Sequence, residues 1–229
     1  MNAKLPESHV RRGYRTLSTE FYEEIKRDLI MCKFRPGEII TQKALIERYR
    51  ASKTPLREAL KLLTHEGLIQ PLPSRGYLVT PITLEDVQDL FDVRQVLELA
   101  AIERAVECAT EEQFAALEKL VGELDILKSN DAATRWYMTN LEFHVFMATI
   151  SGNHRLAQLL RHVLQDLSRV FVLDWDEGRY NDSEPMVRSH MEIVKALQKR
   201  DLQSAKGVLM RELDDSLESI EESLTKLSL

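Results

Sequence analysis

The sequence predicts a mainly α protein in two parts. An N-terminal winged helix-turn-helix with a small β-hairpin wing is followed by an antiparallel all-α helical bundle of six or seven helices. Three observations carry this. Gly and Pro number only 8 and 7 in 229 residues, so few points can break a helix. Three short amphipathic stretches lead into two apolar runs joined by "PSRG". The charge also divides: residues 1–82 hold 15 Lys and Arg against 9 Asp and Glu, a net of +6, whereas residues 83–229 hold 16 against 28, a net of −12. A basic front on an acidic back indicates two domains with different partners.

Residues 1–16 read as a flexible basic arm without periodicity. In "STEFYEEIKRDLIMCKF", Phe21, Ile25, Leu29 and Cys32 recur at helical spacing, with Ser18 as N-cap, and "RPGE" stops the helix. "IITQKALIERYRA" gives a short extended piece and a second helix from about Gln42 to Tyr49. A third helix runs from "SKTPLREALKLL" to about Glu66, with Gly67 as its C-terminal glycine. The runs Leu68–Ile69 and Tyr77–Val79, joined by Pro73, Ser74, Arg75 and Gly76, form the hairpin. The winged helix-turn-helix therefore spans 17–82 and the bundle 83–229. In the bundle, "TLEDV" and "TEEQF" are capping boxes pairing Thr83 with Asp86 and Thr110 with Gln113. Helices are expected at about 83–108, 111–129, 132–151, 153–176, 184–199 and 201–226. The last is amphipathic through Leu213, Leu217, Ile220, Leu224 and Leu227, suited to the bundle or to a second subunit.

No apolar run is long enough to cross a membrane, and the N-terminus carries no secretory pattern. Cys32 and Cys108 are too few and too far apart for a disulfide framework. A cytoplasmic protein is expected.

The third helix begins with cations where the helix dipole disfavours them. A phosphate there reverses the sign, because helix-end N–H groups and side-chain cations act together on an anion. In a helix-turn-helix this end enters the major groove. Ser52, Lys53, Thr54 and Arg57 are thus candidate DNA contacts, with Ser52 or Thr54 as the cap and Pro55 in the first turn. Lys43 would meet the backbone, and Arg75 with Gly76 would let the wing approach a groove. His65 and Lys61 read as plain surface.

The stretch "FRPGEIITQKALIERYRASKTPLREALKLLTHEGLIQPLPSRGYLVTPI" resembles the DNA-binding domain of GntR-family bacterial transcription factors. One departure is Lys53, where the family usually has Arg. Lysine can hold a guanine or a phosphate only as a point charge.

In the acidic part, Asn140 and His144 lie four apart on one helix face. His190 and Glu212 sit on later helices, and a bundle can bring such groups together as inward metal ligands. Two imidazoles and a carboxylate suit zinc, manganese, nickel or iron. His154 and His162 have an equal claim on spacing alone. Residues 83–225 resemble the FadR-type ligand-binding domain of one GntR subfamily, through "VRQVLELAA", "NLEFHVFMATISGNHRL", "SHMEIVKALQKRD" and the tail helix. The resemblance implies a divalent metal (Zn, Ni or Mn) held by Asn140, His144, His190 and Glu212, the first and last standing where the subfamily has Asp and His. That exchange keeps the ligand charge at −1; a polar pocket without metal is the other outcome. Arg94, amid Val93, Val96 and Leu97, is either an effector-binding arginine gripping a carboxylate or the salt-bridge partner of Glu98, its i+4 neighbour.

These features imply a ligand-responsive, homodimeric DNA-binding regulator, most often a repressor, on a pseudo-palindromic operator. A small organic acid in the bundle would shift the relative pose of two DNA-binding heads. A metal-dependent enzyme using His144, His190 and Glu212 is the competing reading, but no nucleophile or acid–base motif accompanies it.

Overall fold

In the computed structural model, described for residues 17–126, 133–176 and 184–227, the chain divides into two compact units. One gathers residues 17–28 and 37–80, the other 29–36 and 81–227. The expected basic arm (1–16) lies outside the described residues.

The first unit is built from α1 (Leu17–Ile30, its last two residues belonging to the second unit), β1 (Ile39–Ile40), α2 (Gln42–Tyr49), α3 (Lys53–His65), β2 (Ile69–Leu72) and β3 (Gly76–Val79). Ser18 lies inside α1 and is not its N-cap, because the helix begins one residue earlier. Thr41 caps α2, its Oγ1 accepting from the Ala44 N–H at 3.1 Å. Arg50, in the left-handed region at φ 50°, ends α2 and opens the tight turn to α3. Leu45, Leu56, Ala59, Leu60, Leu63, Ile69 and Val79 are buried. Buried Asp28 accepts from Arg48 Nη2 at 3.0 Å and the Tyr49 hydroxyl at 2.7 Å, tying α1 to the end of α2.

The extended piece before α2 is a strand. β1 pairs antiparallel with β3, and β3 with β2, in the order β1-β3-β2. The hairpin strands also run longer on the β2 side than the apolar runs suggest. Pro71 sits opposite Tyr77 and is tolerated because β2 is an edge strand. Gly76 has φ 116°, and a Cβ there would lie 2.3 Å from the Ile40 carbonyl oxygen. The glycine is thus demanded by the close passage of β1, inside the sheet.

The second unit holds α4 (Leu84–Cys108), α5 (Glu111–Ile126), α6 (Ala133–Ile150), α7 (His154–Asp176), α8 (Glu184–Gln198) and α9 (Leu202–Leu227). Both capping boxes form. The Asp86 N–H donates to Thr83 Oγ1 at 3.1 Å, and the Thr110 N–H to Gln113 Oε1 at 2.9 Å. Helix α4 packs against α6, α7, α8 and α9, which makes it the spine of the bundle. The Arg200 fork closes its C-terminus, donating to the carbonyls of Val106 (2.6 Å) and Ala109 (2.7 Å). Leu213, Ile220 and Leu224 of α9 are buried in the bundle's own core. Cys32 and Cys108 form no disulfide among the described residues. Among the described residues no helix is long and apolar enough to cross a membrane.

The strain imposed by a side chain at Gly76 sets the first prediction. Gly76→Ala should destabilise the first unit by about 1–3 kcal/mol, read as a lower thermal midpoint. A change within about 0.5 kcal/mol, the usual range for plain surface sites, would show that the sheet yields to the added methyl.

Candidate functional site

Two arrangements of polar residues stand out, one in each unit. In the first, Ser52 adopts the extended N-cap conformation of α3, but its hydroxyl makes no cap hydrogen bond. Ser52, Lys53, Thr54 and Arg57 are all exposed along the first turn and a half of α3, and Arg75 is exposed at the hairpin turn. Lys53, Arg57 and Arg75 have no acidic partner among the described residues. Lys61 and Lys43, by contrast, are paired, with Glu58 at 2.8 Å and Glu47 at 3.9 Å. Three exposed cations without an acidic partner thus lie at α3's N-terminal end and the hairpin turn, while Arg27 and Arg50 are exposed elsewhere on the unit. Lys43 is exposed near the start of α2.

In the second unit, four helices converge on a polar cluster without access to water. Arg94 and Glu98 come from α4, His144 from α6, His190 from α8 and Glu212 from α9; Asn140, one turn before His144 on α6, is buried as well, and none of the six exceeds 4% exposure. Arg94 Nε donates to Glu98 Oε1 at 2.7 Å, and Arg94 Nη2 lies 3.1 Å from His144 Nε2. A guanidinium has donors only. That contact therefore requires a lone pair on Nε2, which assigns the ring proton of His144 to Nδ1, 2.7 Å from Glu98 Oε2. Glu98 thus accepts from both Arg94 and His144. His190 Nε2 lies 3.1 Å from Glu212 Oε1, which is also 3.4 Å from His144 Nε2 and 3.9 Å from Arg94 Nη2. The His190 ring stacks on Phe143, with centroids 4.1 Å apart.

The electrostatics follow from the geometry. Burial alone would raise the Glu98 carboxyl, but His144 and the Arg94 guanidinium, both hydrogen-bonded to it, bring it down to about 2. For Glu212, burial again opposes ionisation and is outweighed by His190, His144 and Arg94, which lower its pKa. Burial lowers the pKa of His190 despite the pull of Glu212, so its ring is neutral. Asn140 Oδ1, Glu212 Oε2 and His190 Nδ1 are buried and make no hydrogen bond.

One donor atom from each of His144, His190 and Glu212 lies within 4.8 Å of the others. Two further oxygens, Asn140 Oδ1 and Glu212 Oε2, face no donor. The donor set therefore fits a divalent cation with two imidazoles and oxygen ligands. His154 and His162 are exposed and stand apart from the cluster. Two points depart from the sequence pattern. Val93 and Val96, at 48% and 67% exposure, lie on the outer face of α4, so Arg94 is not packed among them but turned inward. The salt bridge with Glu98 exists, yet it belongs to the cluster, and Glu98 was no candidate in its own right. Only its i+4 spacing from Arg94 signalled it. Phe143 carried no signal beyond being apolar.

The family model for gntR bacterial regulatory proteins matches residues 17–79, and that of the FCD domain matches residues 89–215. The chain belongs to the GntR family of bacterial regulators. Its arrangement of a helix-turn-helix followed by an FCD domain is that of the family's FadR-like subfamily. Similar GntR-type relatives include YdhC, an HTH-type transcriptional regulator of Bacillus subtilis strain 168. It is 27% identical over 206 residues, covering 90% of this chain and 91% of that one. The HTH-type transcriptional repressor RspR of Escherichia coli K12 is 27% identical over 204 residues, 89% of each chain. Among solved structures, E. coli McbR/YncC superposes with a TM-score of 0.78 at 18% identity, covering 91% of this chain and 98% of that one. A GntR regulator from Rhodococcus sp. RHA1 gives 0.75 at 23%, covering 90% and 97%. Both share the fold. This GntR-family chain is a DNA-binding transcriptional regulator.

The buried cluster fixes how stability responds to acid. Unfolding releases His190 to its ordinary value of 6.5 and Glu98 to 4.5. The His190 contribution is complete above about pH 6.5 and declines below it. The Glu98 contribution is complete above about pH 4.5 and is lost towards pH 2. With chelator present, the thermal midpoint of the second unit should fall steadily from pH 7 to pH 4. In His190→Gln the fall should begin only in the carboxylate range. A midpoint flat across that interval would contradict the buried neutral imidazole.

Proposed function

We propose that this regulator binds a pseudo-palindromic operator as a homodimer, represses from it, and responds to a small carboxylate held with a divalent cation in the bundle. The observation that supports DNA contact at named residues is the group of exposed, unpaired cations Lys53, Arg57 and Arg75 at the α3 N-terminus and hairpin turn. The N-terminal residues of α3 would reach base edges or phosphates in the major groove, with the free Ser52 hydroxyl and Thr54 beside them. Lys43 would take a backbone phosphate, and Arg75 would enter the neighbouring groove. Two such units related by a dyad would set the half-site spacing.

In the bundle, His144, His190 and Glu212 would hold the cation, with the Asn140 carbonyl as a further oxygen ligand. Such an ion (Zn, Ni or Mn) would supply positive charge and open coordination positions for a carboxylate. Arg94 is the residue suited to the carboxylate's oxygens, because its planar fork can pair with both. The effector alters DNA binding only as far as it prefers one conformation of the dimer over the other. The same donors would serve a metal enzyme, but that reading leaves the cationic end of α3 without a task.

Two measurements test these assignments. On a duplex selected from a random pool, Arg57→Ala should weaken binding uniformly and lower the salt slope by about 1, the signature of a lost phosphate contact. Loss confined to one base pair would reassign Arg57 to base readout, and unchanged binding in both Arg57→Ala and Lys53→Ala would remove α3 from the interface. Elemental analysis of protein purified without chelator or histidine tag should give about one divalent ion per chain, absent from a His144→Ala/His190→Ala double variant. No ion after soaking with zinc, nickel and manganese would leave recognition of the acid to Arg94 and the polar groups alone.

A further inference from the structure

The position of Arg94 goes beyond that of a waiting effector-binding group. Its Nη2 stands 3.1 Å from His144 Nε2 and 3.9 Å from Glu212 Oε1, on the atoms the cation would need. The lone pair of His144 Nε2 can serve only one acceptor role at a time. The Nδ1–H of the same ring is committed to Glu98 at 2.7 Å, so the imidazole cannot offer its other nitrogen instead. Arg94 is itself anchored, Nε donating to Glu98 Oε1 at 2.7 Å, so leaving His144 requires the rigid guanidinium to pivot as a whole about that bond.

We propose that Arg94 and a divalent cation compete for the lone pair of His144 Nε2, and that the cation, on binding, frees the Nη2 end of Arg94 for the effector's carboxylate. This rests on the cation reading given above. It makes Arg94 a positioning residue with opposite effects on the two ligands: it weakens the cation's hold and supplies the carboxylate's. Cation and acid then bind cooperatively, because each favours the arrangement in which Arg94 has left His144.

The test is Zn2+ affinity of the full chain, measured by competition with a chromophoric chelator, for wild type, Arg94→Gln and Arg94→Lys. Removing a hydrogen bond from a charged group, which the cation must otherwise break, should tighten Zn2+ binding about tenfold or more in Arg94→Gln. Arg94→Lys separates competition for the lone pair from simple repulsion. It keeps the charge, but one ammonium cannot span Glu98 and His144 as the fork does, so it too should bind Zn2+ more tightly than wild type. This variant also retains a cation beside Glu98, and it carries the test if Arg94→Gln does not fold.

Each outcome decides. Wild type binding Zn2+ as tightly as Arg94→Gln, or more tightly, overturns the competition while leaving the cation site in place. A gain in Arg94→Gln with none in Arg94→Lys also overturns it, since charge alone would then explain the effect. Binding by the variants but not by wild type upholds the competition and removes the ion from the resting protein. No binding by any of the three overturns both readings.

Discussion

A carboxylate fully withdrawn from water must find strong hydrogen-bond donors, and in this bundle Glu98 finds two. One is Arg94, a turn earlier on the same helix; the other is His144, reaching across from α6. The remaining donors of Arg94 and the far side of His144 then face Glu212 on α9, which is shared with His190 on α8. One buried charge thus draws four helices to a common centre, and the surrounding apolar core packs around that requirement. Such a centre is a poor way to gain stability. Hydrophobic residues of the same volume would hold the helices at least as well, whereas removing one partner leaves an uncompensated charge costing about 3–5 kcal/mol. Three atoms of the cluster are left without partners, which an apolar replacement would also avoid.

The DNA-binding unit treats its charges in the opposite way. Asp28, Arg48 and Tyr49 satisfy one another at the junction of α1 and α2, while Lys53, Arg57 and Arg75 remain exposed and unsatisfied. At the N-terminus of α3 a cation costs about 0.3–1 kcal/mol against the helix dipole. That small cost is reversed only when an anion arrives. The charges of the bundle cluster are paired with one another inside the core, whereas these three cations of the first unit are left open at its surface.

Much of this was legible because it is local. The capping boxes at Thr83 and Thr110 and the glycine after α3 are decided by residues three or four apart, and each formed as read. What was not legible depends on residues distant in sequence. The pairing of Ile39 and Ile40 with β3 joins segments almost forty residues apart, and with it came the true demand on Gly76. The sequence suggested that Gly76 serves the approach to DNA, whereas its hydrogen atom faces the Ile40 carbonyl. Helix α4 misled in a different way. Apolar residues occur on both of its faces, so Val93 and Val96 obscured which side carries the polar cluster. The candidate ligands were visible as residue types, but that Arg94 and Glu98 belong with them is a fact of three-dimensional packing.

That membership changes how the site's charge is counted. Taken as four ligands alone, Asn140, His144, His190 and Glu212 carry the single negative charge of Glu212. With Arg94 and Glu98 included the total is still one negative charge, but it now contains a guanidinium close to two carboxylates. A divalent cation alone would carry the buried cluster past neutrality to a positive excess, and a carboxylate alone would deepen the negative one. Only the two together bring it to zero. Because an uncompensated buried charge is costly whatever its sign, the physics favours their joint binding over either alone. The selectivity of such a pocket would lie in the pair, a divalent ion and a monoanionic acid.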